Sequence, residues 1–216
     1  MPPRALSPSG LFLVDKPEGP SSFAIVAELR RRTGARTGHA GTLDPFATGL
    51  LLLLSGRATK LAPRLVGLDK RYVTTVDLTA TTTTGDPEGE IVERHDAPAV
   101  LDLDRVSGEI ELPVPAASAV KIGGERAYRL HRRGVEVEMP VRRSIVHALD
   151  VLGQDRDTVT LDLRVSSGTY VRSIAHALGG HCRTLRRTAV GPFSIDEAHS
   201  PDEFELLTEE EVLARL

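Results

Sequence analysis

The chain has 216 residues, of which 40% are apolar and 26% are charged, with one cysteine and a formal net charge of −3. This composition is typical of a globular protein with its own core, and it excludes a disordered or fibrous chain and any internal disulfide. The longest apolar run, Leu50–Leu54, is too short to span a bilayer, and the N-terminal residues lack the pattern of a signal peptide. We therefore expect a cytoplasmic protein that does not bind membranes.

Hydrophobic periodicity and turn residues predict an alternation of strands and short helices. In chain order, the first predicted elements are a frayed segment at 1–10, a strand at Gly10–Val14, a helix capped by Ser21 or Ser22 and ended by Gly34, a loop at 35–49, a strand at Leu50–Ser55 and a short helix at Ala58–Leu65. Strands follow at Arg71–Thr81 and Glu90–Arg94, and a helix at Glu125–Arg133. The last elements are antiparallel strands at Ser144–Leu152 and Thr158–Val165 and helices at Tyr170–Leu178 and Thr208–Leu216.

On the first helix, the apolar side chains of Phe23, Val26, Ala27 and Leu29 are predicted to share one face. Strands outnumber helices, and most neighbouring strands are predicted to be antiparallel. The fold class is therefore α+β, with a mixed, mainly antiparallel sheet and flanking helices. No linker separates two domains, so we expect a single domain over residues 1–216 whose residues 194–216 form an acidic tail.

The net charge hides a strong segregation of charge along the chain. Residues 28–72, 112–147 and 164–191 carry +6, +4 and +5, while residues 73–111 and 192–216 carry −8 and −7. Such blocks also arise by chance on ordinary surfaces. The functional interpretation is that the three basic blocks line one cleft that binds a polyanion, with the acidic segments turned away.

The loop Gly38–Gly49, with the sequence GHAGTLDPFATG, holds the most informative residues of the chain. It carries His39 and Asp44 among three glycines and a proline, directly before an apolar strand. A carboxylate held by a rigid loop can act as a nucleophile or base. Taken alone, however, the Asp44-Pro45 pair is more typical of a simple turn than of a catalytic site.

Six motifs in order make the sequence resemble the TruB family of tRNA pseudouridine synthases, from about Leu11 to Phe193. The motifs are LVDKP at Leu13–Pro17, GHAGTLDPFATG at Gly38–Gly49, DKRY at Asp69–Tyr72, SAVK at Ser118–Lys121 followed by Tyr128, GTYVR at Gly168–Arg172 and LRRTAVG at Leu185–Gly191. The resemblance implies the pseudouridine synthase fold with a central RNA-binding cleft. It also implies isomerisation of uridine 55 in the T loop of tRNA, with the T arm as the partner.

The resemblance assigns catalytic roles to three residues of this chain. Asp44 matches the catalytic aspartate, and Arg172 matches the arginine that pairs with this carboxylate. Tyr170 matches an active-site tyrosine implicated in proton transfer. An arginine close to Asp44 would favour its ionised form. The ionised carboxylate could form its adduct at the anomeric carbon of the sugar or at C6 of the ring, and the sequence does not distinguish these two.

Further residues are implied to bind the RNA. Tyr72 matches the tyrosine that stacks on the target base, and Leu185 matches an apolar residue lining the base pocket. His39 matches a histidine near the flipped nucleotide, and Lys121 lies in the RNA-facing loop. The adjacent pair Lys70-Arg71 is suited to binding phosphate beside the stacking ring. Tyr72 and Tyr170 also have an ordinary structural interpretation as core residues, and His39 has one as a turn residue.

The reaction needs a nucleophile and a proton acceptor, so we expect no cofactor and no metal. His176, His181 and Cys182 lie close together, but their spacing matches no standard zinc pattern. We also expect the protein to be a monomer.

Two features depart from the family. Ala117 stands where members usually carry a tyrosine, and the acidic tail ends at Leu216, so that we expect a short form without the C-terminal PUA domain of many members. The main alternative function is a non-catalytic RNA-binding or tRNA-folding protein that uses the same cleft. A glycosidase or other carboxylate hydrolase would need a second placed acid, and the Asp44 loop supplies none.

Overall fold

A computed structural model describes residues 8–216, so that most of the segment predicted to be frayed, residues 1–7, lies outside the described residues. The strands are β1 (Gly10–Lys16), β2 (Thr37–His39), β3 (Thr48–Ser55), β4 (Lys70–Asp77), β5 (Ala80–Thr82), β6 (Ile91–Arg94), β7 (Gly108–Pro113), β8 (Lys121–Ile122), β9 (Glu125–Arg126), β10 (Val141–Gln154), β11 (Thr158–Val165), β12 (His181–Val190), β13 (Phe193–Ser194) and β14 (Leu206–Thr208). The α-helices are α1 (Ser22–Thr33), α2 (Ala62–Val66), α3 (Ala127–Arg132), α4 (Val171–Ala177) and α5 (Glu209–Arg215), and short 3-10 helices lie at Gly56–Leu61, Leu103–Val106 and Ile195–Glu197.

The chain divides into two compact units. The first contains the residues up to Arg71 together with Arg186–Leu216, and the second contains Tyr72–Leu185. In the first unit the strand order is β14-β1-β3-β12, with β2 paired to β3 and β13 paired to β12. The β1–β3 and β1–β14 pairs are antiparallel, whereas β3 and β12 are parallel. The predicted mixed, mainly antiparallel sheet is therefore confirmed.

The core of the first unit is built on β3, whose residues Leu50–Leu54 are all fully buried. Successive residues of a strand point to opposite faces, so a continuous apolar run means that both faces of the strand are covered. On one face, Leu50, Leu52 and Leu54 pack with Phe193 of β13 and other apolar side chains. This buried strand anchors the end of the loop that carries Asp44.

Helix α1 has the predicted ends but a different buried face. Ser21 caps its first turn, and Gly34 ends it with a φ of 63°. The buried positions are Ser22, Ile25, Val26 and Leu29, which follow the i, i+3, i+4, i+7 spacing. The prediction that Phe23 and Ala27 share this face is wrong: Phe23 is 68% exposed and Ala27 is also exposed, because both lie to the side of the stripe.

In the second unit the strand order is β12-β4-β11-β10-β7. Strands β10 and β11 form the predicted antiparallel pair, with two register shifts along the 14-residue β10. Strands β7 and β12 were not predicted. Strand β7 is short and has only two alternating apolar residues, Ile110 and Leu112, and β12 mixes arginines and threonines with apolar residues without a clear period. Strand β7 pairs along the first half of β10 and ends this part of the sheet.

Two predicted elements of the second unit have different bounds in the structure. The strand predicted at Arg71–Thr81 stops at Asp77, whose carboxylate accepts hydrogen bonds from the main-chain N–H and the hydroxyl of Thr79. The chain then turns, and β5 pairs with β6 instead. The helix predicted from Glu125 begins at Ala127, because Glu125 lies in a hairpin with β8.

Within residues 8–216, no helix is long and apolar enough to cross a membrane.

Candidate active-site and RNA-contacting residues

Asp44 lies on the loop between β2 and β3, where the sequence predicted an irregular segment, and its side chain is half-buried. The loop closes on itself locally, since the N–H of Ala47 donates to the carbonyl of Asp44 at 3.1 Å. At its start, the N–H of Ala40 donates to the carbonyl of Leu52 on β3. Three buried side chains from other segments hydrogen-bond to further main-chain groups of this loop.

Lys16 fixes the loop on the C-terminal side of Asp44. It is the last residue of β1 and is fully buried. Its ammonium donates to the carbonyl oxygens of Pro45 at 3.1 Å and Ala47 at 2.7 Å, and to that of Pro17 at 2.8 Å. Three acceptors use all the N–H groups of an ammonium, so Lys16 positions the loop rather than contacting RNA.

Ser22 fixes the residue directly before Asp44. Its hydroxyl donates to the carbonyl of Leu43 at 2.8 Å and accepts from the N–H of Leu43 at the same distance. The sequence predicted Ser22 only as a possible helix cap. The N-cap is Ser21, so the Ser22 hydroxyl can hydrogen-bond to the loop instead.

Arg187 fixes the entry of the loop and the strand after it. Its guanidinium donates to the carbonyl oxygens of Gly41 at 3.0 Å, Thr42 at 3.4 Å and Leu50 at 2.8 Å. The side chain is 1% exposed. The motif at Leu185–Gly191 contributed only Leu185 to the predicted site, and no sequence signal distinguished Arg187 from the neighbouring Arg186, which instead pairs with Asp15 on the surface at 2.7 Å.

His39 ends β2 at the entrance to the same loop. Burial, together with the nearby guanidinium of Arg187, holds the pKa of His39 below its usual value of 6.5. The imidazole is therefore neutral at neutral pH. Its Nδ1 atom is buried and has no hydrogen-bond partner among residues 8–216.

The predicted phosphate-binding pair Lys70-Arg71 consists of one buried and one exposed residue. Lys70 is 6% exposed, and its ammonium donates to the carbonyl oxygens of Val66 and Leu68. Burial and the positive charge of Arg187 lower the pKa of Lys70 to about 8. Arg71 is exposed on the other face of β4. With two main-chain partners, the Lys70 ammonium keeps one N–H for a further acceptor.

Arg172 lies in the first turn of α4 and forms a buried ion pair with Asp86. The two side chains are 4% and 5% exposed, and Nη1 lies 3.1 Å from Oδ2. Nη1 also donates to the carbonyl of Thr84 at 2.7 Å, and Nη2 donates to that of Ala117 at 2.9 Å. The guanidinium is therefore held in one orientation by three groups. At Ala117, where the family tyrosine is absent, the main chain supplies one of them.

Asp86 is a functional candidate that the sequence does not reveal. The local sequence predicts it only as part of a turn at Gly85–Gly89. The turn is present, since the Asp86 carboxylate also accepts hydrogen bonds from the Thr84 hydroxyl at 2.5 Å and the Glu88 N–H at 3.1 Å. Nothing in the local sequence shows that the same carboxylate meets an arginine 86 residues away along the chain.

The other predicted residues of the second unit differ in exposure. Tyr72 on β4 and Leu185 on β12 are buried, with 8% and 7% of their surface exposed. Tyr170 is half-buried at the N-cap of α4. Lys121 is exposed on the β8–β9 hairpin, which leads directly into α3. The half-buried ring of Tyr170 is suited to contact a base, and the exposed ammonium of Lys121 is suited to contact a phosphate.

An open cavity of about 800 Å³ lies within the second unit, lined in part by Arg172, Ser173 and His176 of α4. Arg172 is the only predicted site residue among its lining residues. Among the residues that the structure describes, no group of three or more histidine, cysteine or acidic side chains could hold a metal ion.

The chain is similar to known proteins over most of its length. Residues 30–171 match the family described as "TruB family pseudouridylate synthase (N terminal domain)". A protein named tRNA pseudouridine synthase B from Leifsonia xyli subsp. xyli is 46% identical over 88% of this chain and 70% of its own length. The protein of that name from Thermobifida fusca is 43% identical over 90% of this chain and 73% of its own length.

Solved structures show the same fold. One chain of the solved Cbf5-Nop10-Gar1 complex matches this protein with a TM-score of 0.64 and 29% identity. The match covers 87% of this protein and 50% of the chain in the complex. A pseudouridylate synthase structure at 19% identity, with a TM-score of 0.54 over 98% of this chain, agrees in fold alone. The predicted pseudouridine synthase fold is thus confirmed. The extent of the family match and the identity to these relatives show that the chain belongs to the TruB family of pseudouridylate synthases.

Proposed function

We propose that the protein isomerises uridine 55 in the T loop of tRNA to pseudouridine, with Asp44 as the nucleophile. The observation that carries this proposal is the Asp44 loop. Lys16, Ser22 and Arg187 hold its main chain on both sides of the half-buried carboxylate. A nucleophile fixed in this way needs no reorganisation when the substrate arrives, and such positioning is a major source of rate enhancement.

The reaction is an isomerisation, so its atoms balance without a co-reactant. The bond between the sugar carbon and N1 of uracil breaks, the base turns, and a new bond forms between the same sugar carbon and C5. The proton lost from C5 is matched by one gained at N1. Asp44 would form a transient covalent adduct while the base turns. Tyr170, half-buried beside Arg172, is the proposed group for the proton transfer.

Arg172 is proposed to keep the nucleophile ionised, because a positive charge favours the carboxylate over the carboxylic acid. Its own orientation is supported by Asp86 and by the carbonyl oxygens of Thr84 and Ala117. A cation that is already in position stabilises a negative charge without a reorganisation cost, and this is why fixed charges accelerate reactions.

RNA binding would follow from base stacking and phosphate contacts. The target base must leave the T loop to be reached, and stacking on an aromatic ring contributes about 1–3 kcal/mol per base. Tyr72 is the proposed stacking partner, with Leu185 lining the pocket. Arg71 and Lys121, both exposed, are the proposed phosphate contacts, and His39 is proposed to lie near the flipped nucleotide.

The test is to incubate the protein with a T-arm stem-loop and to map pseudouridine by a chemical adduct that blocks primer extension. Wild type should modify uridine 55 and no other uridine, while Asp44→Asn should still bind the RNA and leave it unmodified. A stem-loop with cytidine at position 55 controls for adducts at other sites. Binding by wild type without modification would instead show an RNA-binding protein that does not catalyse.

A second variant tests the role of Arg172. Arg172→Ala should abolish turnover while reducing RNA affinity much less, because the side chain is buried and its described partners are protein groups. The measurements are the single-turnover rate and filter binding at one salt concentration. A near-normal rate in this variant would remove the assigned role.

A further inference from the structure

The Arg187 guanidinium is a buried cation whose partners are all neutral. Within the described residues it forms no ion pair; its hydrogen bonds go to the carbonyl oxygens of Gly41, Thr42 and Leu50. A buried charge is costly unless every donor is satisfied, and a charged group in the core often marks a functional constraint. The position of this cation must therefore contribute something that an apolar residue of the same size would not.

The three carbonyl groups bracket Asp44 along the chain. Gly41 and Thr42 come three and two residues before it, and Leu50 comes six residues after it, inside β3. One planar group thus joins the entry of the loop to the strand in which the loop ends. Neither end can shift relative to the other without breaking a hydrogen bond to a buried donor.

The main chain of Arg187 contributes to the same arrangement. It pairs in register with Gly49 in the parallel β3–β12 pair. A Cβ atom added at Gly49 would lie 2.3 Å from the carbonyl oxygen of Arg187, and Gly49 has a φ of +100°. The end of the loop can approach β12 this closely only because residue 49 is glycine. Residue 187 therefore fixes the loop through both its main chain and its side chain.

From these contacts we infer that Arg187 is a positioning residue for the reaction: it sets where the Asp44 carboxylate stands by fixing both ends of its loop. This inference rests on the proposed function of Asp44. An arginine is required because its planar fork presents several N–H groups in fixed directions, whereas a lysine is a single point with a shorter reach.

The test compares Arg187→Lys with Val212→Ala in the full chain. The lysine side chain keeps the positive charge but lacks the planar guanidinium and its fixed N–H groups. Val212 is fully buried on α5 in the core of the same unit, and its truncation lowers stability without touching the loop. For each variant we would measure the melting temperature, RNA affinity, and single-turnover pseudouridine formation with RNA saturated by protein.

Arg187→Lys should form pseudouridine about 10²-fold more slowly than wild type, which is the effect of a misplacement of about 1 Å, with unchanged RNA affinity. Val212→Ala should keep the wild-type rate below its melting temperature. A lysine variant that melts at a low temperature is assayed below its own midpoint, with Val212→Ala at the same temperature. Equal rates for the two variants would overturn the inference.

A second measurement separates positioning from general stability. Millimolar guanidinium chloride should restore part of the rate of Arg187→Ala, because the free ion can occupy the vacated site, and should leave Val212→Ala unchanged. Recovery of the fold without recovery of the rate would overturn the inference. A wild type that leaves uridine unmodified overturns the proposed function and this inference with it, whereas an active wild type with an equally active Arg187→Lys overturns this inference alone.

Discussion

The Ser22→Ala substitution removes one buried oxygen that serves both main-chain polar groups of Leu43. Ser22 is 1% exposed, so neither group can turn to water when the hydroxyl is lost. Leaving a buried donor or acceptor without a partner costs about 1–3 kcal/mol per group, and two groups are affected. We therefore expect the free energy of unfolding to fall by about 2–6 kcal/mol.

The neighbouring Ser21→Ala is the matched control. It removes the same atom one residue earlier. Among residues 8–216, the Ser21 hydroxyl accepts one hydrogen bond, from the N–H of Ala24 at 3.2 Å, so its loss should cost about 1 kcal/mol. Urea unfolding with equal m-values gives both numbers.

Because Leu43 precedes Asp44, Ser22→Ala should also slow single-turnover pseudouridine formation, whereas Ser21→Ala should not. A Ser22→Ala variant that lost no more stability than Ser21→Ala and kept the wild-type rate would contradict this role of the Ser22 hydroxyl.

Three further predictions follow from buried charges and a close contact. Asp86→Ala should lower the free energy of unfolding by about 3–5 kcal/mol, because Arg172 is left buried without its carboxylate; in urea unfolding, a loss below about 1 kcal/mol would contradict this. Lys70 loses its proton near pH 8 in the folded chain and near 10.5 in the unfolded chain, so unfolding takes up a proton between these values. The free energy of unfolding should therefore rise with pH in this window, by at most about 1.4 kcal/mol per pH unit. Lys70→Met should remove this rise in pH-dependent unfolding experiments. Gly49→Ala should be far more destabilising than Gly38→Ala in thermal unfolding, since a Cβ at Gly38 meets no atom within 4 Å, and equal melting temperatures would contradict the close contact.

Local chemistry explains the elements that were predicted correctly. The apolar run Leu50–Leu54 predicted a buried strand, and Gly34 predicted a helix end that its φ of 63° confirms. These signals depend on residues within one turn or one strand of each other. The buried face of α1 was predicted wrongly because Phe23 is apolar but lies outside the stripe that packs, and composition alone does not select the stripe.

Long-range pairing explains the elements that were missed. Strand β12 has the sequence HCRTLRRTAV, whose arginines and threonines do not predict a buried strand. It is a strand because β3 supplies its parallel partner, more than a hundred residues away along the chain. The break after Asp77 was also missed, since a carboxylate that bonds to Thr79 outweighs the β-branched residues around it.

The same distinction holds for the candidate site. Residue order is enough to predict that Asp44 lies on a Gly-rich loop before a buried strand and to match the ordered motifs to the TruB family. The side chains that hold this loop are visible only in the folded chain. Lys16, Ser22 and Arg187 act on main-chain carbonyl and N–H groups, which every residue carries, so no sequence pattern identifies their partners. The ion pair of Arg172 likewise exists only because folding brings a turn carboxylate to the start of a helix in an interior where an unpaired charge would be costly.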